Sequence, residues 1–287
     1  MKDTMIKGLA YGNELRFFAA YTRDTVQEAA KIHGTSPVCS AALGRLLTAA
    51  AMMGRMEKND DDLVTLRIEG DGPIDGMTVT ADISGHVKGI VGNPNVELPL
   101  KENGHLDVGG AVGKGTLSVI RGIAGADPYV GQIQLATGEI GDDLTYYFAE
   151  SEQIPTSVGL GVLVDRDLSI MHAGGFILQL LPFASEETID ALEKSLKDHT
   201  SVTELLKEDP DPESMIRKLL GDVEIEDRCD VAYRCSCSRQ RVEKALISLG
   251  RDELEKLIAD GEEVKLHCDF CNKDYKFSVD EVKALLK

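Results

Sequence analysis

Residues 37–54 read PVCSAALGRLLTAAAMMG, the core of the most apolar run in a chain of 287 residues. The run from Pro37 to Met53 is shorter than the ~20 residues of a membrane span and carries Arg45 near its middle, so it is expected to be a buried core helix. Ser36 stands where an N-cap belongs and Pro37 where a first helical residue belongs. The helix is expected to run to about Lys58 and, being apolar nearly all round, to lie at the centre of its domain.

Outward from this helix the pattern is that of an α/β domain with a meandering sheet. Met5–Ala10 and Glu14–Tyr21 flank Gly12-Asn13 as a hairpin. A short helix follows from Thr22 to about His33, stopped by Gly34. Beyond the long helix come short β-like runs at Leu63–Ile68, Met77–Ala81, Val87–Val91 and Thr116–Ile120, punctuated by Gly, Asn, Asp and Pro. Asp142–Ser151 reads as a helix, and Val158–Val164 and Leu168–Leu181 as late strands turning at Asp165-Arg166-Asp167. The fold class is therefore α+β, with residues 1–183 as the N-terminal domain.

Past Pro182 the apolar period becomes helical. Ser185 caps a helix with Ile189, Leu192 and Leu196 on one face; Ser201 and Glu204 form a capping box for a second; Asp211-Pro212 opens a third with Ile216, Leu219 and Leu220, ending at Gly221. Residues 184–228 hold 14 acidic and 6 basic side chains, a helical linker with apolar stripes. Uncovered stripes of this kind invite aggregation, which the dense negative charge opposes.

Residues 229–287 carry the chemistry. Cys235-Ser236-Cys237 and Cys268-Asp269-Phe270-Cys271 are two close pairs thirty residues apart, and four thiolates so arranged suit tetrahedral Zn²⁺ with no open coordination position. A segment this small has a marginal core of its own, and bound zinc adds apparent folding energy of ~10–16 kcal/mol in small zinc modules. His267 reads as a surface neighbour of the site, Cys39 as a small core residue and Cys229 as a bystander, with disulfide exchange its alternative role. The C-x-C half is short for a purely structural site. A Cys235–Cys237 disulfide would be a tight ring, and oxidation would consume ligands, so the motif reads as a switch.

Other functions are disfavoured. Aromatics are 5% with no Trp, and the formal charge is −18, against a base-stacking surface or a polybasic membrane binder. Gly109–Gly115 lacks the spacing of a phosphate-binding loop, so no nucleotide requirement is expected. The opening MKDTMIKGLAYGNELRFF has no apolar h-region, and a cytoplasmic location is expected. At this level two alternatives stay open: a thiol–disulfide oxidoreductase using Cys268 and Cys271, or a zinc-dependent nucleic-acid binder.

The C-terminal cysteine pattern, together with PVCSAALGRLLTAAAMMG, Ser151–Thr156 (SEQIPT) and the stretch from Ala173-Gly174-Gly175-Phe176 to Leu181-Pro182, resembles the bacterial redox-regulated chaperone family of the 33 kDa heat-shock protein, over essentially the whole chain. The resemblance implies a non-enzymatic, ATP-independent holdase that binds unfolding client proteins under oxidative stress; that neither nucleic acid nor membrane is a partner is expected from the charge and composition above. It implies one Zn²⁺ per chain on Cys235, Cys237, Cys268 and Cys271 in the reduced, inactive form. It further implies that oxidation pairs Cys235 with Cys237 and Cys268 with Cys271, releases zinc, unfolds the C-terminal domain and frees the linker, in step with homodimer formation. Ile189, Leu192, Leu196, Ile216, Leu219 and Leu220 are then the expected client-binding residues.

Overall fold

The computed structural model describes residues 2–122 and 127–286. The chain divides into two compact units, Met1–Arg234 and Cys235–Lys287. The first contains β1 (Thr4–Ala10), β2 (Leu15–Tyr21), α1 (Arg23–His33), α2 (Pro37–Gly54), β3 (Leu63–Gly70), β4 (Met77–Asp82), β5 (His86–Val91), α3 (Val108–Val112), β6 (Gly115–Gly122) and β7 (Tyr129–Gln134). It continues with α4 (Gly141–Tyr147), a π-turn (Phe148–Glu152), β8 (Thr156–Val164), β9 (Ile170–Leu180), α5 (Glu186–Asp198), α6 (Val202–Glu208), α7 (Pro212–Leu220), β10 (Val223–Asp230) and β11 (Ala232–Tyr233). The second unit holds α8 (Arg239–Ser248), α9 (Arg251–Asp260), β12 (Val264–Cys268), β13 (Lys273–Phe277) and α10 (Val279–Ala284).

The first unit is layered around α2. One sheet runs β10-β1-β2-β9-β8 and the other β11-β5-β4-β3-β6-β7. α2 lies between them, buried from Val38 to Gly54 apart from Arg45, and joins side chains of both sheets in one core with Phe18, Ala20, Ile177, Val64, Leu66 and Val119. Length and composition alone would let α2 cross a membrane, yet 89% of it is buried inside the protein. The first sheet is covered on both faces, which is why LRFFAAY and GGFILQL read as nearly unbroken apolar runs. Alternation splits them: Phe18 and Ala20 face α2, while Phe17, Ala19, Phe176 and Leu178 face a second core built with α5–α7.

Several boundaries differ from expectation for local reasons. α2 stops at Gly54, four residues early, where a Cβ would meet Asp82 O; the chain leaves in tight turns from Met56 N to Met53 O and from Glu57 N to Gly54 O. Ser36 does not cap α2, because its hydroxyl is spent on Val96 O at 2.7 Å. Ser201 Oγ accepts from Glu204 N, but the Glu204 carboxylate turns to Lys207 at 2.6 Å instead of closing a capping box. The linker region is not wholly helical: β10 pairs antiparallel with β1 across the 228/229 boundary. β7 has no counterpart in the sequence reading.

Candidate metal centre

In the second unit β12 and β13 form a hairpin in register from Val264↔Phe277 to Cys268↔Lys273. Its tight turn is closed by Cys271 N and Asn272 N donating to Cys268 O, with Asn272 at φ 53°, a left-handed conformation that Asn tolerates. This turn presents Cys268 and Cys271 together. The other pair lies on an extended arm just before α8, whose N-cap Ser238 accepts from Arg241 N. Arg241 Nη1 also donates to Ser236 Oγ at 2.6 Å, fixing the residue between Cys235 and Cys237. Arg239 ties the arm to the hairpin: its guanidinium lies 4.3 Å from the Phe277 ring centroid and donates to Lys276 O at 2.9 Å.

The result is that Cys235, Cys237, Cys268 and Cys271, all half-buried and unbridged, have their sulfurs within 4.8 Å of one another. Cys235 Sγ is 3.7 Å from Cys268 Sγ, and Cys237 Sγ is 3.3 Å from Cys271 Sγ. A tetrahedral site with Zn–S bonds of ~2.3 Å needs sulfurs roughly 3.8 Å apart, so the cluster has the donor set and nearly the dimensions to hold such an ion. These two distances run between the motifs, so each sulfur of one pair faces a sulfur of the other. Burial acts to raise the Cys237 thiol, but donation from Tyr275 Oη at 3.1 Å and from the neighbouring thiols outweighs it and brings it down to about 7. Burial pushes Cys235 and Cys271 up.

Tyr275, Arg239 and Arg241 are the residues the sequence reading missed. Tyr275 was legible in principle, seven positions after Cys268 on a short β run; the arginines were not, since their partners are distant in sequence. His267 is exposed, bonds Asp274 at 2.7 Å and stays outside the cluster. Cys39 is buried in α2 and donates to Asn93 O at 3.3 Å. Cys229 is half-buried on β10 opposite Met5, its thiol pushed up by burial. The unit's own core is small, with Leu246, Leu254, Phe277 and Val282 fully buried.

The linker stripes lie in the first unit. Leu192, Ile216, Leu219 and Leu220 are buried and Leu196 half-buried against Phe17, Phe176 and Leu178; Ile189 is half-buried and stands outside that core. Val202, Leu205, Leu206 and Met215 complete it. The first three sit at i, i+3 and i+4 on α6, a helical signature the sequence carried openly. α5 is pinned at its start by Glu14 in the β1–β2 turn, which accepts from Ser185 N at 2.9 Å, Ser185 Oγ at 2.7 Å and Thr188 Oγ1 at 2.6 Å. These bonds hold the Glu14 carboxyl down at about 2.

A family model described as Hsp33 protein matches residues 3–278. The 33 kDa chaperonin of Agathobacter rectalis is 50% identical over 287 residues, covering 99% of this chain and 100% of its own length. That of Lachnoclostridium phytofermentans is 48% identical, covering 100% and 99%. The crystal structure of the 33 kDa chaperonin from Thermotoga maritima superimposes with a TM-score of 0.89 at 36% identity, covering 100% of this chain and 98% of that one. The layered sheets, the short-spaced cysteine cluster and full-length similarity to these chaperonins agree, and the chain belongs to the Hsp33 family of chaperones.

Proposed function

We propose that this chain is a redox-regulated, ATP-independent holdase whose reduced form carries one Zn²⁺ on Cys235, Cys237, Cys268 and Cys271. The observation that carries the reading is the four-thiol cluster, sulfurs within 4.8 Å, in a unit with four fully buried apolar side chains to hold it together. When bound, zinc would keep the four sulfurs as thiolates and add a large share of the unit's folding energy. A peroxide oxidant takes one thiolate to a sulfenic acid, and the neighbouring thiol displaces water to give a disulfide. Two such steps, Cys235 with Cys237 and Cys268 with Cys271, remove all four donors.

With its donors gone the second unit unfolds and the linker loosens. Release of α5–α7 uncovers two apolar surfaces at once: the helix stripes, including Ile189, Leu192, Leu196, Ile216, Leu219 and Leu220, and the sheet face of Phe17, Phe176 and Leu178. These surfaces bind unfolding clients, and the active form is a homodimer working in the cytoplasm. Zinc content and suppression of aggregation, measured before and after oxidant and without nucleotide, test this. One zinc per reduced chain, its release on oxidation and a matching gain of activity are expected. A metal-free, well-folded reduced protein or strict ATP dependence would overturn it.

A further inference from the structure

Tyr275 lies on β13 opposite Leu266 of β12. Alternation along the hairpin puts these two on the inner face with Val264 and Phe277, against the small core of the second unit. His267 and Asp274 pair on the outer face. The ring is thereby held, and its hydroxyl reaches the arm before α8, where Oη donates to Cys237 Sγ at 3.1 Å. A phenol is neutral at pH 7 and carries one proton, so toward a thiolate it can only donate.

The sulfurs of the cluster differ in what surrounds them. The backbone N–H of Cys237 lies toward Cys235 and that of Lys273 toward Cys271, and both favour a charged sulfur. Such amides come with the local chain path. Cys237 instead has a side-chain hydroxyl at hydrogen-bond distance, which a substitution can remove. With zinc bound all four sulfurs would be thiolates, so a donor no longer decides which of them is charged. What it changes is the lone pair that attacks an oxidant. Hydrogen bonds to a metal-bound ligand tune its reactivity, and nucleophilicity falls as a sulfur becomes less basic.

The step concerned is the first oxidation by hydrogen peroxide. The Cys237 lone pair attacks one oxygen, the S–O bond forms as the O–O bond breaks, and hydroxide leaves to be protonated to water. Sulfur has then given up two electrons to the peroxide and stands as a sulfenic acid. Cys235 attacks that sulfur, the S–S bond forms, and a second hydroxide leaves. In the first attack the lone pair that accepts from Tyr275 is drawn into the new bond, so the hydrogen bond weakens on the way to the transition state.

We propose that Tyr275 sets the threshold of the redox switch, its hydroxyl damping the nucleophilicity of the Cys237 sulfur and slowing oxidation at that position. The inference rests on the zinc–thiolate reading above and names a rate-setting residue within it. Tyr275 acts through Cys237 and takes no part in the bond changes, so it is a positioning residue. A switch of this kind has to stay closed at resting levels of oxidant, and a donor on an attacking sulfur serves that end without consuming a ligand.

The test uses the full-length, reduced, zinc-loaded protein. Iodoacetamide at less than one equivalent reports the nucleophilicity of each sulfur, since it forms an S–C bond and expels iodide, and mass spectrometry locates the modified cysteine. In Tyr275→Phe, which keeps the ring and deletes the hydroxyl, alkylation of Cys237 is expected to rise roughly three- to tenfold while Cys235, Cys268 and Cys271 stay within about twofold of the parent. Zinc release by peroxide is expected to quicken in the same variant. Loaded with Co²⁺ instead, the variant is expected to show its sulfur-to-metal charge-transfer band at lower energy, because an undamped lone pair gives up an electron more easily. Equal acceleration at all four cysteines means that the ring only holds the fold, and overturns the proposal; an unchanged rate at Cys237 does so too. The parent supplies a check that survives a variant unable to fold. Its Tyr275 hydroxyl proton, in the zinc-loaded form, is expected to exchange slowly enough with water to be resolved by NMR, and free exchange overturns the proposal. Each of these failures leaves the zinc reading standing, whereas a reduced parent that binds no zinc removes that reading itself.

Discussion

Met1–Arg234 buries a whole helix between two sheets and then covers the outer face of one sheet with α5–α7. Cys235–Lys287 buries Leu246, Leu254, Phe277 and Val282 and surrounds them with half-buried neighbours. At about 1.5–3 kcal/mol for each fully buried apolar side chain, these four contribute about 6–12 kcal/mol, so the ~10–16 kcal/mol that a structural zinc would add is at least comparable with the second core itself. The difference teaches where a switch can be placed. On the proposed reading, chemistry at four sulfurs decides the fate of the second unit, and the same chemistry leaves the α2 core without a reason to change.

The comparison breaks most visibly at the metal. Cys268→Ser removes one of four donors and is expected to lower bound zinc from one per chain to near zero. Most of the ~10–16 kcal/mol is then lost, with unfolding confined to the second unit. Metal analysis and segment-resolved exchange check this, and a variant that loses zinc yet keeps its second unit folded would count against it. Next in size is Ile216→Ala on α7, which empties a fully buried position facing the first sheet. A cost of about 2–5 kcal/mol is expected to loosen the linker while zinc stays bound, giving some anti-aggregation activity without oxidant. Equal inactivity of this variant and the parent would show that linker release is not what exposes the client surface.

Gly161→Ala probes the same docking from the sheet side. A methyl there would lie 2.8 Å from Thr203 Cγ2 and 3.1 Å from Val202 Cβ, so α6 must shift, at a cost of about 1–3 kcal/mol. Faster exchange in α6 with α2 unchanged is the expected signature. The smallest effect belongs to Glu14. Its folded-state carboxyl sits at about 2, below the ordinary 4.5, so its contribution is complete above about 4.5 and is lost as pH falls towards 2. Amide signals of Ser185 and Thr188, followed by NMR between pH 5 and 2, should titrate in the parent and lose that transition in Glu14→Gln.

Much of this architecture was legible locally. α2 announced itself by an apolar run with Pro37 at its start, and the linker helices by Ser185, Ser201 and Asp211, all of which do accept from the expected backbone N–H groups. The cysteine spacing singled out the four residues whose sulfurs the fold brings together. What escaped is non-local. β10 reads as alternating charged residues and is a strand because β1 supplies its hydrogen bonds from more than two hundred residues away. β7, YVGQIQ, is interrupted by a glycine and half polar, and takes its form from β6. The apolar sheet face of Phe17 and Phe176 was visible as composition, but two-sided burial makes such strands read alike on both faces, so its role as the linker's seat required the fold.

Segment-resolved hydrogen exchange on the fully oxidised, zinc-free and active protein tests the central claim most directly. Protection is expected to vanish from Cys235 to Leu286, to fall across Glu186–Leu220, and to persist in Val38–Met53. An active oxidised protein whose second unit stays as protected as in the reduced, zinc-loaded form would contradict the account.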